Sequence, residues 1–576
     1  MFCKNCGAKL PDDANVCPEC SNAVSGGESV TNNVTNQTSA IDTNVHTVNG
    51  TPKRKSPLKF ILLLIVAVLG ISAVAYAAPK VVKKIRMASM SPEERYRYIE
   101  ENNIDEHLEK LMTGYDIVTK EMKKDNFGTH QTVKLELSDT AKSLLSMSGV
   151  NFSNLKTIEI DLDSNINKES IGYKAVLVSE DEELITANII MDAKAGDMFI
   201  QIPEISESYI RIPAEQMGDS SEISESLNSM SDIGNKLPSG KEIIEITDVC
   251  TETFLDNVNN ISENKEAEIS AEGITEKVTD YVVTLDEKEA QACIKAVADE
   301  LKDNKTLKTV ITRFDEKAYT SFTDAVNDID FSSESDSSSE SDASGEIDAL
   351  RMTVSVNGSE TIVGRNIETL DADGNVTLVM SYCIPSNGNE FGFNFTLKDE
   401  SSTAVEIIGT GNIKSEILNG TFSVKSEEAV ENSNSELATI KVEDYDYSEA
   451  AKSKSNGKIS VSLSDAIPQT AGYSIAYEFD VDGLESSQTI NIMAGKDKFA
   501  SIILDSKVSS KYEAKLPGDS ETVIDSDDSD ALASYVDETK VQSVITNVFT
   551  KLGLDESVIN SLFAGGMNSE SSYDYE

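Results

Sequence analysis

The 576-residue sequence predicts an α+β chain in three parts, and three observations predict it. Two Cys-x-x-Cys pairs fall within the first twenty residues. An uncharged apolar run fills residues 60–78. Beyond residue 126, apolar residues recur at every second position in run after run, which is the period of antiparallel strands with one buried face.

Cys3-Lys4-Asn5-Cys6-Gly7 and Cys17-Pro18-Glu19-Cys20 are separated by ten residues. Each pair forms a tight knuckle with both sulfurs on one side, and two knuckles offer the tetrahedral thiolate set that zinc prefers. Gly7 relieves the backbone in the first knuckle turn, whereas Ser21 follows the second. Twenty residues bury too little apolar area to fold alone, so the metal supplies the folding free energy. Four protein ligands leave no open coordination position, so Cys3, Cys6, Cys17 and Cys20 predict one structural Zn2+ and no catalytic metal. A redox dithiol would need a thioredoxin-like fold, for which this segment is too short.

Residues 1–22 are thus read as a zinc ribbon, and 23–56, rich in Ser, Thr, Asn and Gly without period, as a flexible linker. The run from Phe60 to Ala78 matches a hydrocarbon core of ~30 Å at ~1.5 Å per helical residue, which predicts a transmembrane helix over 59–79. Lys53, Arg54, Lys55 and Lys59 precede it, and Lys80, Lys83, Lys84 and Arg86 follow, so the positive-inside count is a tie. Thiolates stay reduced most readily in the cytosol, which places residues 1–59 inside and 79–576 outside. Ala75-Tyr76-Ala77 leaves a rival open, in which cleavage after Ala77 releases the outer part.

Met1–Cys20 resembles the N-terminal zinc ribbon of many bacterial membrane proteins of Gram-positive type, which continue through a linker and one transmembrane helix into an uncharacterised extracellular domain. The resemblance implies an envelope role in sensing or regulation, and no enzyme activity.

The charge divides unevenly about the membrane segment. Residues 1–86 hold ten Lys/Arg and five Asp/Glu, leaving 40 basic and 95 acidic residues in 87–576. Such a field repels phosphate backbones and anionic lipid, so nucleic acid is excluded as a partner of the acidic part; cationic peptides, basic proteins or divalent cations are what it attracts. Solubility alone also accounts for the acidity.

Ser91-Pro92-Glu93-Glu94 opens a helix with a capping box, and Ile99, Leu108, Leu111, Ile117 and Val118 give it an apolar face to about Lys124. Strands follow at Val133–Leu137, Ile158–Leu162, Lys174–Val178, Ile185–Met191 and Met198–Ile202, with a turn at Ala195-Gly196-Asp197. Residues 217–239 read as a loop, Glu242–Asn259 and Glu287–Lys302 as helices, with Leu285, Ala290, Cys293, Ile294 and Val297 as the second helix's stripe. Module 1 thus spans 87–330. Residues 331–346 are Ser/Asp/Glu-rich and predict a disordered linker. Module 2, 347–565, carries strands at Met352–Val356, Thr361–Leu370, Val376–Tyr382, Phe391–Leu397, Val405–Ile408, Phe422–Val424, Ile459–Leu463, Tyr473–Phe479, Thr489–Met493 and Phe499–Leu504, then helices at Lys540–Leu552 and Glu556–Phe563. Residues 566–576 are an acidic tail.

Gly172-Tyr173, Leu184, Ile190, Asp197, Phe199 and Ile202 align at one constant offset with Gly472-Tyr473, Leu484, Ile490, Asp497, Phe499 and Ile502. Shared strand period also produces such matches, so duplication into two related modules stays open.

Other chemistry is weaker. Asp371-Ala372-Asp373-Gly374-Asn375 and Asp480-Val481-Asp482-Gly483 lack the twelfth-position Glu of a calcium loop and read as hairpin turns. His46, His107 and His130 stand apart, and Cys250, Cys293 and Cys383 have no motif spacing and cannot all pair. No nucleophile elbow, zincin motif or phosphate loop is present. The sequence therefore predicts no enzyme: a membrane-anchored protein with protein partners on both sides and an outer binding or sensing part. The alternatives are a carrier holding a lipid-like ligand in an apolar cavity of a curved sheet, and a wall hydrolase, which would need catalytic groups clustered in a cleft.

Overall fold

The computed structural model describes residues 90–554, apart from 148–150, 219–225, 228, 231, 328–348, 371–373, 400–402, 427–435, 465–471 and 536. The ribbon, the segment 59–79, the linker 331–346, the helix expected at Glu556–Phe563 and the tail lie outside the described residues. Among those described, no helix is long and apolar enough to cross a membrane.

A large antiparallel sheet with helices forms this part of the chain, with 21 strands hydrogen-bonded into one sheet. Its order begins at β7 (Ile261–Ala271) and β8 (Ile274–Asp286). It continues through β9 (Ala349–Asn357), β10 (Ile362–Leu370), β11 (Val376–Cys383) and β13 (Glu390–Asp399), with the two-residue β12 (Ser386–Asn387) attached to β13. Next come β14 (Thr403–Lys414), β15 (Ile417–Lys425), β16 (Glu436–Asp446), β17 (Lys454–Leu463), β18 (Tyr473–Asp482), β19 (Glu485–Ala494) and β20 (Asp497–Val508). There the chain's beginning joins: β1 (Asn126–Leu137) pairs with β20, and β2 (Ile158–Asn167), β3 (Ser170–Ser179), β4 (Glu182–Asp192), β5 (Met198–Gln201) and β6 (Tyr209–Ile212) extend the sheet. β21 (Val523–Asp525) closes that edge, parallel to β6. The sheet thus runs through both regions expected as modules: β8 pairs with β9 on either side of 331–346, and β1 with β20.

The offset repeat fails in the ladder. Ile190 faces Gly172 across β3–β4, whereas Ile490 faces Tyr477 across β18–β19. The first hairpin turns at Glu180-Asp181 and the second at Gly483-Leu484, so the matches reflect strand period. Asp480-Val481-Asp482-Gly483 is the hairpin turn expected, with Gly483 at φ 65°.

Helices lie against one face of this sheet at two places. The first is α1 (Pro92–Met122), whose Ser91 cap and Glu94 complete the capping box. Its buried face is Tyr96, Ile99, Glu100 and Leu108; Leu111 and Val118 point to solvent instead, 50% and 38% exposed. With α3 (Gly240–Asp256) and α4 (Glu287–Asp303), α1 seals a core on β8–β10 around Phe254, Val283, Cys293, Met352 and Val354. Leu285 belongs to β8, not to the helical stripe expected for it. Gly240 lets α1 and α3 cross closely: an added Cβ would come 2.7 Å from the Met112 Cβ. Helices α5 (Lys305–Phe314) and α6 (Glu316–Asn327) extend this cover. The second place is β1–β4, where Val548 of α8 (Glu538–Lys551) and its C-cap Leu552 pack with Leu155 and Leu184; α2 (Asp139–Ser146) follows β1 and touches β1 and β20, and α7 (Ser529–Tyr535) precedes α8 in the chain. One-turn helices at Ala214–Met217 and Ile233–Lys236 replace part of the loop expected over 217–239.

Candidate functional site: an uncovered sheet face

Cys3, Cys6, Cys17 and Cys20 lie outside the described residues, so their chemistry rests on the donor set: four thiolates at ribbon spacing. Among the described residues, no group of three or more His, Cys, Asp or Glu is placed to hold a metal. His130 Nδ1 meets Asp163 Oδ1 at 2.8 Å across β1–β2, a satisfied surface pair. Cys250 and Cys293 are buried and unpaired by disulfides, and burial pushes both thiols up to about 11.

Sequence reading missed one buried ionic contact. Arg365 of β10 donates from both terminal guanidinium nitrogens to Glu100 of α1, at 2.8 and 2.5 Å, and both side chains are almost wholly buried. Burial opposes the Arg365 cation, and Glu100, together with Tyr382 and Tyr96, more than offsets that, so the guanidinium pKa is raised. A signal existed: in Ile362-Val363-Gly364-Arg365-Asn366-Ile367, Arg365 shares the alternation phase of Val363 and Ile367 and so faces the core. The pair pins α1 to the sheet.

A concave site of about 580 Å³ opens between the β7–β8 turn and β13–β16. Glu272, Glu390 and Glu443 line it with Lys441, Asn412, Asn419, Thr410 and Thr421. Lys441 and Glu443 hold each other at 2.7 Å. This lining is polar, unlike the apolar cavity a lipid carrier needs, and it lacks His and Cys. It can donate and accept hydrogen bonds, and its charged groups are three carboxylates and one amine.

The most unusual surface lies on the sheet between its two helical covers. Cross-strand register there aligns apolar side chains in rows. One row runs Val442, Ile459, Tyr477, Ile490, Ile502, Leu135 and Ile158 from β16 to β2. A second runs Ile440, Val461, Ile475, Ile492, Ala500 and Leu137. A third contains Phe479, Leu504, Val133 and Ile160, interrupted by Gln488. The opposite face is polar, as in the row Lys441, Ser460, Ala476, Asn491, Ser501 and Glu136.

An apolar strand face is ordinarily buried by a second layer. Here, across β14–β20, no described apolar side chain larger than alanine is buried. Ile475 is 50% exposed, Tyr473 42% and Ile490 37%. Leu137 and Ile158 at the far edge of the rows pack against the cluster under α8, so the open part spans six strands, β16–β20 and β1, each ~4.8 Å wide, and three rows at ~6.6 Å, a patch of about 30 by 13 Å, on the order of 400 Å². A patch of that size on a monomer is commonly a binding surface. At one end of it, Tyr477 stacks on Phe479 at 5.4 Å between ring centroids, and Tyr445 lies 5.8 Å from Phe479.

Comparison with known proteins bears on the first residues. Neither the curated proteins nor the solved structures give a match to the chain. Residues 2–24 match the family model of the zinc-ribbon domain, a span that includes all four cysteines. The chain carries a zinc-ribbon domain at its start.

Proposed function

We propose that the chain is a non-enzymatic, membrane-anchored binding protein of the cell envelope. The ribbon is a cytosolic interaction module folded by one zinc ion, residues 59–79 are the anchor, and the sheet outside is the binding part. One observation carries the binding role: the apolar face left open between two helical covers, which in a protein with no partner would be an aggregation hazard. The anchor rests on the length and apolarity of residues 60–78, and the orientation on the reduced state that four thiolates need. A carrier with an enclosed apolar cavity fits less well, because the described apolar surface is an open face and the described cavity is polar.

Protease added to intact cells tests the topology. The expected result is a shed sheet fragment beginning after Arg86 and a protected membrane-bound fragment holding residues 1–59. An undigested chain that stays with the bilayer would overturn the placement of the sheet outside.

A further inference from the structure

Within that binding reading, we propose that the open face of β16–β20, with β1, docks a cationic amphipathic helix of a partner protein, about 20 residues long.

The fold itself shows what kind of layer this face accepts. The same side of the same sheet takes helices at both ends: α1, α3 and α4 on β8–β10, and α8 on β1–β4. Between them the apolar rows run on from β16 to β1, with register shifts only at their margins, and no described core cluster covers them, although α1 and α2 touch their ends. The vacant stretch of about 30 Å equals about 20 helical residues at 1.5 Å each. A helix with Leu- or Ile-like residues at i, i+3, i+4 and i+7 would complete the layer.

Charge selects the helix. Residues 87–576 carry 95 acidic and 40 basic residues, so the face sits in a strongly negative field. A second copy of the chain would bring the same charge against itself, and an anionic lipid surface would be repelled. A helix with Lys and Arg on its outer side is attracted. The aromatic rank of Tyr445, Tyr477 and Phe479 adds ring faces at one end, on which an Arg or Lys can rest.

The test uses the full chain in phosphatidylcholine nanodiscs and a fluorescein-labelled 20-residue helix of Leu and Lys, with Leu along one side. Fluorescence anisotropy should show binding that weakens several-fold between 50 and 300 mM NaCl. The double variant Ile475→Asp, Ile490→Asp should lose at least tenfold in affinity while keeping its urea midpoint; Thr489→Asp, on the opposite face, should lose nothing. Equal binding of a Leu/Glu helix would overturn the charge selection. Unchanged binding by the double variant would overturn the surface. Two rival occupants are outcomes of the same measurement: concentration-dependent self-association that excludes the peptide, or a chain ending at Leu554 that binds the peptide tenfold tighter, would assign the face to a second copy or to residues 555–576. Because the titration uses purified chain, its failure leaves the topology untouched, and the protease result leaves this assignment untouched.

Discussion

β8–β10 and β17–β20 belong to one sheet and alternate alike, yet they end in opposite environments. Val354 of β9 is wholly buried and Val283 of β8 is 1% exposed, whereas Ile475 of β18 is half exposed. Nothing in the strands' own pattern separates them, because alternation decides which side chains share a face and not what lies on that face. The difference is made by segments distant in sequence: α1 and α3–α4 supply a second layer for the first region, and no described segment supplies one for the second. Burial marks a completed layer, and the rows of β17–β20 have none among the described residues.

The largest effect should come from the contact that pins the cover. Glu100→Ala leaves Arg365 charged and alone in the core, which costs about 3–5 kcal/mol. Urea denaturation should show that loss. Joint replacement of Glu100 and Arg365 by Met should recover most of it, since the remaining shape is apolar. A single-variant loss below about 1 kcal/mol would mean that α1 is held by its apolar contacts alone.

Next in size is a matched pair of truncations. Phe254→Ala, in the core under α3, should cost about 3–5 kcal/mol. Ile475→Ala should cost under about 1 kcal/mol, since the half-exposed side chain leaves no sealed cavity behind. Equal losses in urea titrations would erase the distinction between covered and open regions.

How far the sequence reveals all this depends on the kind of signal. Strands β1–β5 and most of β9–β20 are legible because their apolar residues alternate cleanly, and α1 and α4 because their caps and stripes are present. β7 is not legible: Glu263, Lys265, Glu266 and Glu268 fill an edge strand whose charges guard against pairing with another chain, so the apolar period is lost. β16 is obscured in the same way by Glu443, Asp444 and Asp446, and by a register irregularity against β15. The Arg365–Glu100 pair spans 265 positions, a distance over which local pattern carries nothing. The open face was beyond reach for the converse reason. Its residues look like core, and only the lack of a covering layer among the described residues sets them apart.

The smallest effect, and the most selective, concerns acid. Glu242 is the third residue of α3 and accepts from Arg313 of α5 and from the Ser239 backbone, so it links two helices of the cover. Arg313 first, and then the Ser239 contacts, hold its carboxyl down at about 2, against an ordinary value near 4.5. A depressed folded pKa gives stability that is complete above about 4.5 and fades as pH falls toward 2. The side chain is about a fifth exposed, so solvent screening keeps the contribution under about 1 kcal/mol. Glu242→Gln should therefore lower the urea midpoint slightly at pH 7, and the gap to the parent should shrink to about a quarter by pH 2.5. Glu443→Gln, which removes an exposed partner of Lys441 on the uncovered strands, should change nothing measurable at either pH. A gap for Glu242→Gln that persists at low pH would assign the loss to packing rather than charge. A gap of the same size and pH dependence at Glu443 would mean that acid acts on the sheet as a whole and not on its helical cover.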